Sequence, residues 1–95
     1  MKLLKVIPSA NKVKKYDAIF LLDNKKEKKV SFGAKGYSDF TINKDDKRKE
    51  AYRSRHKKDL NTKDPMRPGF LSYYILWNKP TLKASIADYK RMFNF

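Results

Sequence analysis

The most informative passage of the chain is Tyr16-Asp17-Ala18-Ile19-Phe20-Leu21-Leu22, followed by Asp23-Asn24-Lys25-Lys26-Glu27 and then by Lys29-Val30-Ser31-Phe32. Tyr16, Ala18, Phe20 and Leu22 share one face at the two-residue period of a strand. The five polar residues after Leu22 read as a turn. Val30 and Phe32 then share one face of a returning strand, so the passage predicts a β-hairpin. Upstream, Lys2 to Ile7 is β-prone and Pro8-Ser9-Ala10-Asn11 ends it. That run is either a third strand or, with residues 1–15 as a whole, an extended arm. Lys12, Lys14, Lys15, Lys28 and Lys29 read as edge lysines, which discourage strand-to-strand aggregation.

Downstream the pattern changes from strands to helices. Gly33-Ala34-Lys35-Gly36 is a loop whose glycines suit a sharp turn or a close backbone approach. No Gly-Lys-Ser/Thr follows, so it is not a phosphate loop of the Walker type. Tyr37-Ser38-Asp39 reads as the crossover into a helix, with Ser38 and Asp39 bonding backbone. Lys44 to Lys58 reads as a charged helix capped by Asn43 or Asp45, with acids early and bases late as the helix dipole favours. Ala51 and Tyr52 are its core candidates. Leu60 to Gly69 reads as a linker-like loop, because Pro65 and Pro68 forbid a continuous helix. Gly69 to Trp77 reads as a short buried helix, with a buried strand as the alternative. Asn78-Lys79-Pro80 punctuates the chain, and Pro80 suits the first turn of a last helix starting at Asn78 or Lys79. On that helix Leu82, Ile86, Tyr89 and Phe93 form one face. The predicted fold class is α+β: an N-terminal antiparallel β-hairpin or three-stranded sheet followed by about three helices, in a single domain over residues 1–95.

Composition narrows the function. Ninety-five residues carry 24 Lys and Arg against 10 Asp and Glu, a net charge of +14. Eight bases (Lys44, Lys47, Arg48, Lys49, Arg53, Arg55, Lys57, Lys58) and three acids (Asp45, Asp46, Glu50) give the segment from Lys44 to Lys58 a charge of +5. The chain has no Cys, which excludes disulfides, a thiol nucleophile and a thiolate zinc site. With His56 as the one histidine, His-pair zinc sites are excluded as well. The longest apolar stretch, Phe70 to Trp77, is too short to span a bilayer, and Met1 to Ile7 is too short for a secretory signal. Aromatic residues in periodic segments argue for a modest folded core despite 36% charged residues. A polyanion or an acidic protein surface is the expected partner.

Several words of the sequence occur together in a characteristic order. They are Phe32-Gly33-Ala34-Lys35-Gly36-Tyr37-Ser38-Asp39-Phe40-Thr41, Asn43-Lys44-Asp45, Arg48, Tyr52 with Arg55-His56, Gly69-Phe70, Trp77-Asn78-Lys79-Pro80-Thr81-Leu82 and Ser85-Ile86. Taken together they resemble an uncharacterised family of small basic proteins of the nucleocytoplasmic large DNA viruses, the giant viruses. The resemblance runs from about Lys29 to Phe93. Asn43 stands where His is common in that family, and Tyr73-Tyr74 where an Arg-Trp pair is common. The resemblance implies a viral source, with a location in the virion or in the infected host cell, at the viral factory or in the nucleus. It implies no reaction.

The expected function is non-catalytic binding of nucleic acid, DNA in the first place, through phosphates. The expected contacts are Lys44, Lys47, Arg48, Tyr52, Arg53, Arg55, His56, Lys57 and Lys58. Arg48, Tyr52 and Arg55 share a helix face, so the Tyr52 ring either stacks on an unpaired base or anchors the helix. His56 reads as a contact or structural residue, with no catalytic partner apparent in the sequence. Asp39, Asp45 and Asp46 read as caps rather than as ligands to a metal. Trp77 reads as core. No metal or cofactor is expected. The alternative is a minor capsid or other structural virion component whose basic surface meets acidic coat proteins.

Overall fold

The computed structural model describes residues 1–95. Three antiparallel strands, β1 (Lys2–Pro8), β2 (Lys14–Leu21) and β3 (Glu27–Ala34), form one sheet in the order β1-β2-β3. Four helices follow: α1 (Phe40–Asn43), α2 (Asp46–His56), α3 (Pro68–Leu71) and α4 (Leu82–Phe93). A 3₁₀ turn, Lys57–Thr62, prolongs α2, and a π-helical turn, Ser72–Leu76, prolongs α3. The α+β expectation and the three-stranded alternative are thus what the protein adopts, and the first residues form a strand rather than an arm.

The hairpin forms where the alternation placed it. Tyr16 pairs with Phe32 and Ala18 with Val30, which sets the inner residues of both strands on one face. Its turn closes through Lys25 N–H donating to Leu22 O and Leu22 N–H donating to Lys26 O. Lys25 takes a left-handed φ of 67°, and the Asn24 side chain accepts from Lys26 N–H. Leu3 pairs with Phe20, and a bulge between Leu3 and Lys5 keeps Leu3 buried while Leu4 faces outward.

The inner face of the sheet carries Leu3, Ala18, Phe20, Val30 and Phe32 into one apolar cluster with Phe40, Leu71, Ile75, Leu76, Trp77 and Tyr89. Only 19 of 95 residues are buried, so each large side chain in that cluster carries a large share of the stability. Behind it, Phe70, Tyr74, Tyr89, Phe93 and Phe95 pack ring against ring, and Phe95 meets Phe20 edge-on. The aromatic residues of the C-terminal half are therefore packing residues, Trp77 among them.

Four readings of the sequence are corrected. Because β2 is the central strand, Lys14 and Lys15 lie on the middle of the sheet, not on an edge. The basic helix is shorter than Lys44 to Lys58: Asp45 caps α2 by accepting from the N–H groups of Lys47 and Arg48. Lys44 is left outside, in a left-handed turn, and Lys57 and Lys58 belong to the 3₁₀ turn that also takes up the start of the expected loop. Ala51 is exposed; the apolar contact of α2 is made by Tyr52 and by the stem of Arg53 instead. Finally, α4 begins at Leu82. Its cap is Thr81, which accepts from Ala84 N–H, while Asn78 is buried and donates to Asp88.

Candidate nucleic-acid interface

A groove of about 560 Å³ opens where α2 crosses the end of the sheet. One wall is the face of α2 that presents Arg48, Tyr52 and Arg55. The opposite wall is the β3-to-α1 crossover, Tyr37 to Asp39, with Lys14 and Lys15 of β2 beneath it.

The crossover is held by an ion pair between buried Asp39 and partly buried Lys15. Asp39 caps α1, accepting from Thr41 N–H at 2.9 Å and from the Thr41 hydroxyl. Its second oxygen accepts from Lys15 Nζ at 2.6 Å, and the same ammonium donates to Tyr37 O at 2.6 Å. Gly33 and Gly36 both take positive φ, 77° and 86°. They do so for different reasons. A Cβ on Gly33 would come within 2.8 Å of Leu76 Cδ1, whereas Gly36 has open space around it and supplies only the turn.

Tyr52 forms the floor. Its ring stacks on His56 with centroids 4.2 Å apart on one side, and on Trp77 at 4.6 Å and 11° on the other. Both faces of the ring are occupied, so of its two expected roles Tyr52 fills the anchoring one. Burial raises the pKa of its hydroxyl, opposed by a hydrogen bond with Ser72. His56 Nδ1 lies 3.1 Å from Asp59 Oδ2, a partner the sequence reading did not identify. The signal was present as a spacing of three residues across the end of α2.

The expected contact residues separate into three groups. Arg48 and Arg55 lie on the groove together, with His56 deeper in it. Lys44, Lys47, Lys57 and Lys58 are exposed outside its lining, without a carboxylate partner, and Lys57 lies on the same side of α2 as Arg53. Arg53 points to the other side of α2. Its guanidinium lies 4.2 Å from the centroid of the Tyr73 ring and donates to Trp77 O at 2.9 Å. Arg53 thus binds helix to helix rather than facing solvent as a free cation. Lys49 sits beside it, 4.8 Å above the Phe40 ring, and burial followed by the nearby Arg53 charge lowers its pKa. Lys14 and Tyr37 are groove residues that the charge count of α2 alone did not reveal. No three His, Asp or Glu side chains come together in an arrangement able to hold a metal ion.

The fold and groove define a small, strongly basic α+β protein with a cationic cleft. Residues 4–56, more than half of the chain, match the family described as Family of unknown function (DUF5754), and the chain belongs to that family. No curated protein and no solved structure matches the chain.

Proposed function

We propose that this is a non-catalytic nucleic-acid-binding protein that acts through phosphate contacts, and that its source is a giant virus. The observation that carries the reading is the shortage of internal partners for its cations. Of 24 Lys and Arg, only Lys15, Arg67 and Arg91 form ion pairs with carboxylates, which leaves 21 without one. Surface charge left unpaired on this scale destabilises a compact fold by self-repulsion, which an anionic partner relieves. Nucleic acid does so with a gain from released counterions. The cations of α2 and its 3₁₀ extension, Lys44, Lys47, Arg48, Arg55, Lys57 and Lys58, supply the contacts. Arg53 and Tyr52 act as the packing that holds them.

No helix is long and apolar enough to cross a membrane. The test is the salt dependence of binding to duplex DNA. If about five phosphates are engaged, log affinity falls against log salt with a slope of roughly −4.5. A slope near zero overturns the reading. Binding to an acidic protein that persists through moderate salt then favours a structural virion component instead.

A further inference from the structure

We infer that the groove between α2 and the β3-to-α1 crossover is a seat for single-stranded nucleic acid, with Tyr37 as the platform for an unpaired base and Arg48 and Arg55 as the flanking phosphate contacts. The inference rests on the nucleic-acid reading above and specifies which form of nucleic acid enters this site.

Tyr37 is the observation that points there. The residue is 75% exposed, the most of the large hydrophobic residues. Elsewhere the chain packs its aromatic rings closely, and even Tyr52 is covered on both faces. Tyr37 nevertheless has a fixed backbone: its N–H donates to Ala34 O and its carbonyl accepts from the Lys15 ammonium. A ring held on an anchored turn at the rim of a cationic cleft loses little entropy when a base stacks on it.

The electrostatics of the groove agree. Of the charged groups lining it, Asp39 is neutralised by Lys15 and Asp59 is engaged by His56. Arg48, Arg55 and Lys14 have no carboxylate partner and remain available to phosphates. A volume of about 560 Å³ is of the size that takes one or two nucleotides of a splayed strand. A positive groove with an aromatic platform is the arrangement by which proteins hold single strands without reading sequence.

The experiment is a fluorescence anisotropy titration of the full chain, using oligodeoxythymidylate, oligouridylate and a mixed-sequence DNA duplex of equal length at ~0.15 M salt. The expected result is tighter binding of a single strand than of the duplex, and whichever single strand binds more tightly identifies DNA or RNA as the source. Tyr37→Ala should weaken single-strand binding on the order of 10-fold and leave duplex binding unchanged, while Tyr37→Phe keeps it. Arg48→Gln with Arg55→Gln should weaken binding of every probe. Equal binding of single and double strands that Tyr37→Ala leaves untouched overturns the groove assignment while phosphate binding stands. Failure of all three probes to bind overturns both.

Discussion

Lys15 Nζ and Asp39 Oδ2 lie 2.6 Å apart, and this ion pair ties the middle strand of the sheet to the cap of the first helix. The Lys15 side chain is 13% exposed and that of Asp39 1%, so removing Lys15 leaves a buried carboxylate without its counter-charge. Lys15→Met should therefore lower unfolding free energy by about 3 kcal/mol or more. Adding Asp39→Asn to that variant should restore part of the loss, because the amide oxygen can still accept from Thr41 N–H. Urea unfolding of the single and double variants measures both; a loss under ~0.5 kcal/mol for Lys15→Met would show that the pair does not hold the crossover.

The two glycines of the crossover should respond unequally to the same change. Gly36→Ala meets only the cost of a left-handed φ, about 1 kcal/mol, because no atom lies near the new methyl group. Gly33→Ala has the same backbone cost and also forces a methyl group against Leu76 and Lys15, for a total of about 2–4 kcal/mol. Thermal melts of the two variants should rank Gly33→Ala well below Gly36→Ala.

Arg53 and Lys58 separate packing from binding. Arg53→Ala removes a guanidinium from the Tyr73 ring and a hydrogen bond from Trp77 O, and should cost about 2 kcal/mol of stability. Lys58→Ala should change stability by less than ~0.5 kcal/mol. In a salt titration of duplex binding, it should make the slope shallower by about one. The reverse pattern, a neutral Arg53→Ala and a destabilising Lys58→Ala, would contradict the partition of the basic cluster.

Stability should decline at both ends of the pH scale for identifiable reasons. The pKa of Asp17 is lowered by hydrogen bonds from Ser31 and then Ser9, and that of Asp88 by Asn78 and then Arg91, each below the ordinary 3.8. In the acid range the unfolded chain takes up these protons first, so the stability they contribute is present above pH 3.8 and lost as pH falls through the lower folded values. Tyr89 and Tyr52 shift the other way: burial raises their hydroxyls above the ordinary 10.0. Here the unfolded chain ionises first, and stability present below pH 10.0 is lost as pH rises above it. Melting temperatures across the scale should show both declines. Asp17→Asn and Asp88→Asn should flatten the acid limb, and Tyr89→Phe the alkaline one.

The elements that declared themselves in the sequence were those with a repeating burial pattern. The alternation Tyr16, Ala18, Phe20 and the spacing Leu82, Ile86, Tyr89, Phe93 each bury one face, and each formed the expected element. The ends of α2 were less legible because Asp45 and Asn43 are both good caps. The choice between them follows from a short separate helix, α1, which already uses Asp39. In the candidate site, charge pointed to α2 but not to the direction of each side chain. Arg48 and Arg55 share a face by helical spacing. That Arg53 turns inward depends on Tyr73 and Trp77, more than 19 residues later in the chain. Tyr37 follows no periodic pattern, so only the fold shows that its ring is left uncovered at the groove rim.

The sheet and α2 fall inside the matched segment, residues 4–56, yet the apolar side of the sheet is roofed by Leu71, Ile75, Leu76, Trp77 and Tyr89, all beyond it. The matched segment is thus not a self-sufficient folding unit. A polypeptide ending at His56 would display Phe20, Phe32 and Phe40 to solvent and would be drawn to other chains. Inheritance of the fold consequently binds the two halves together. A bulkier side chain at Val30 or Ala18 would have to be answered by a smaller one in the roof.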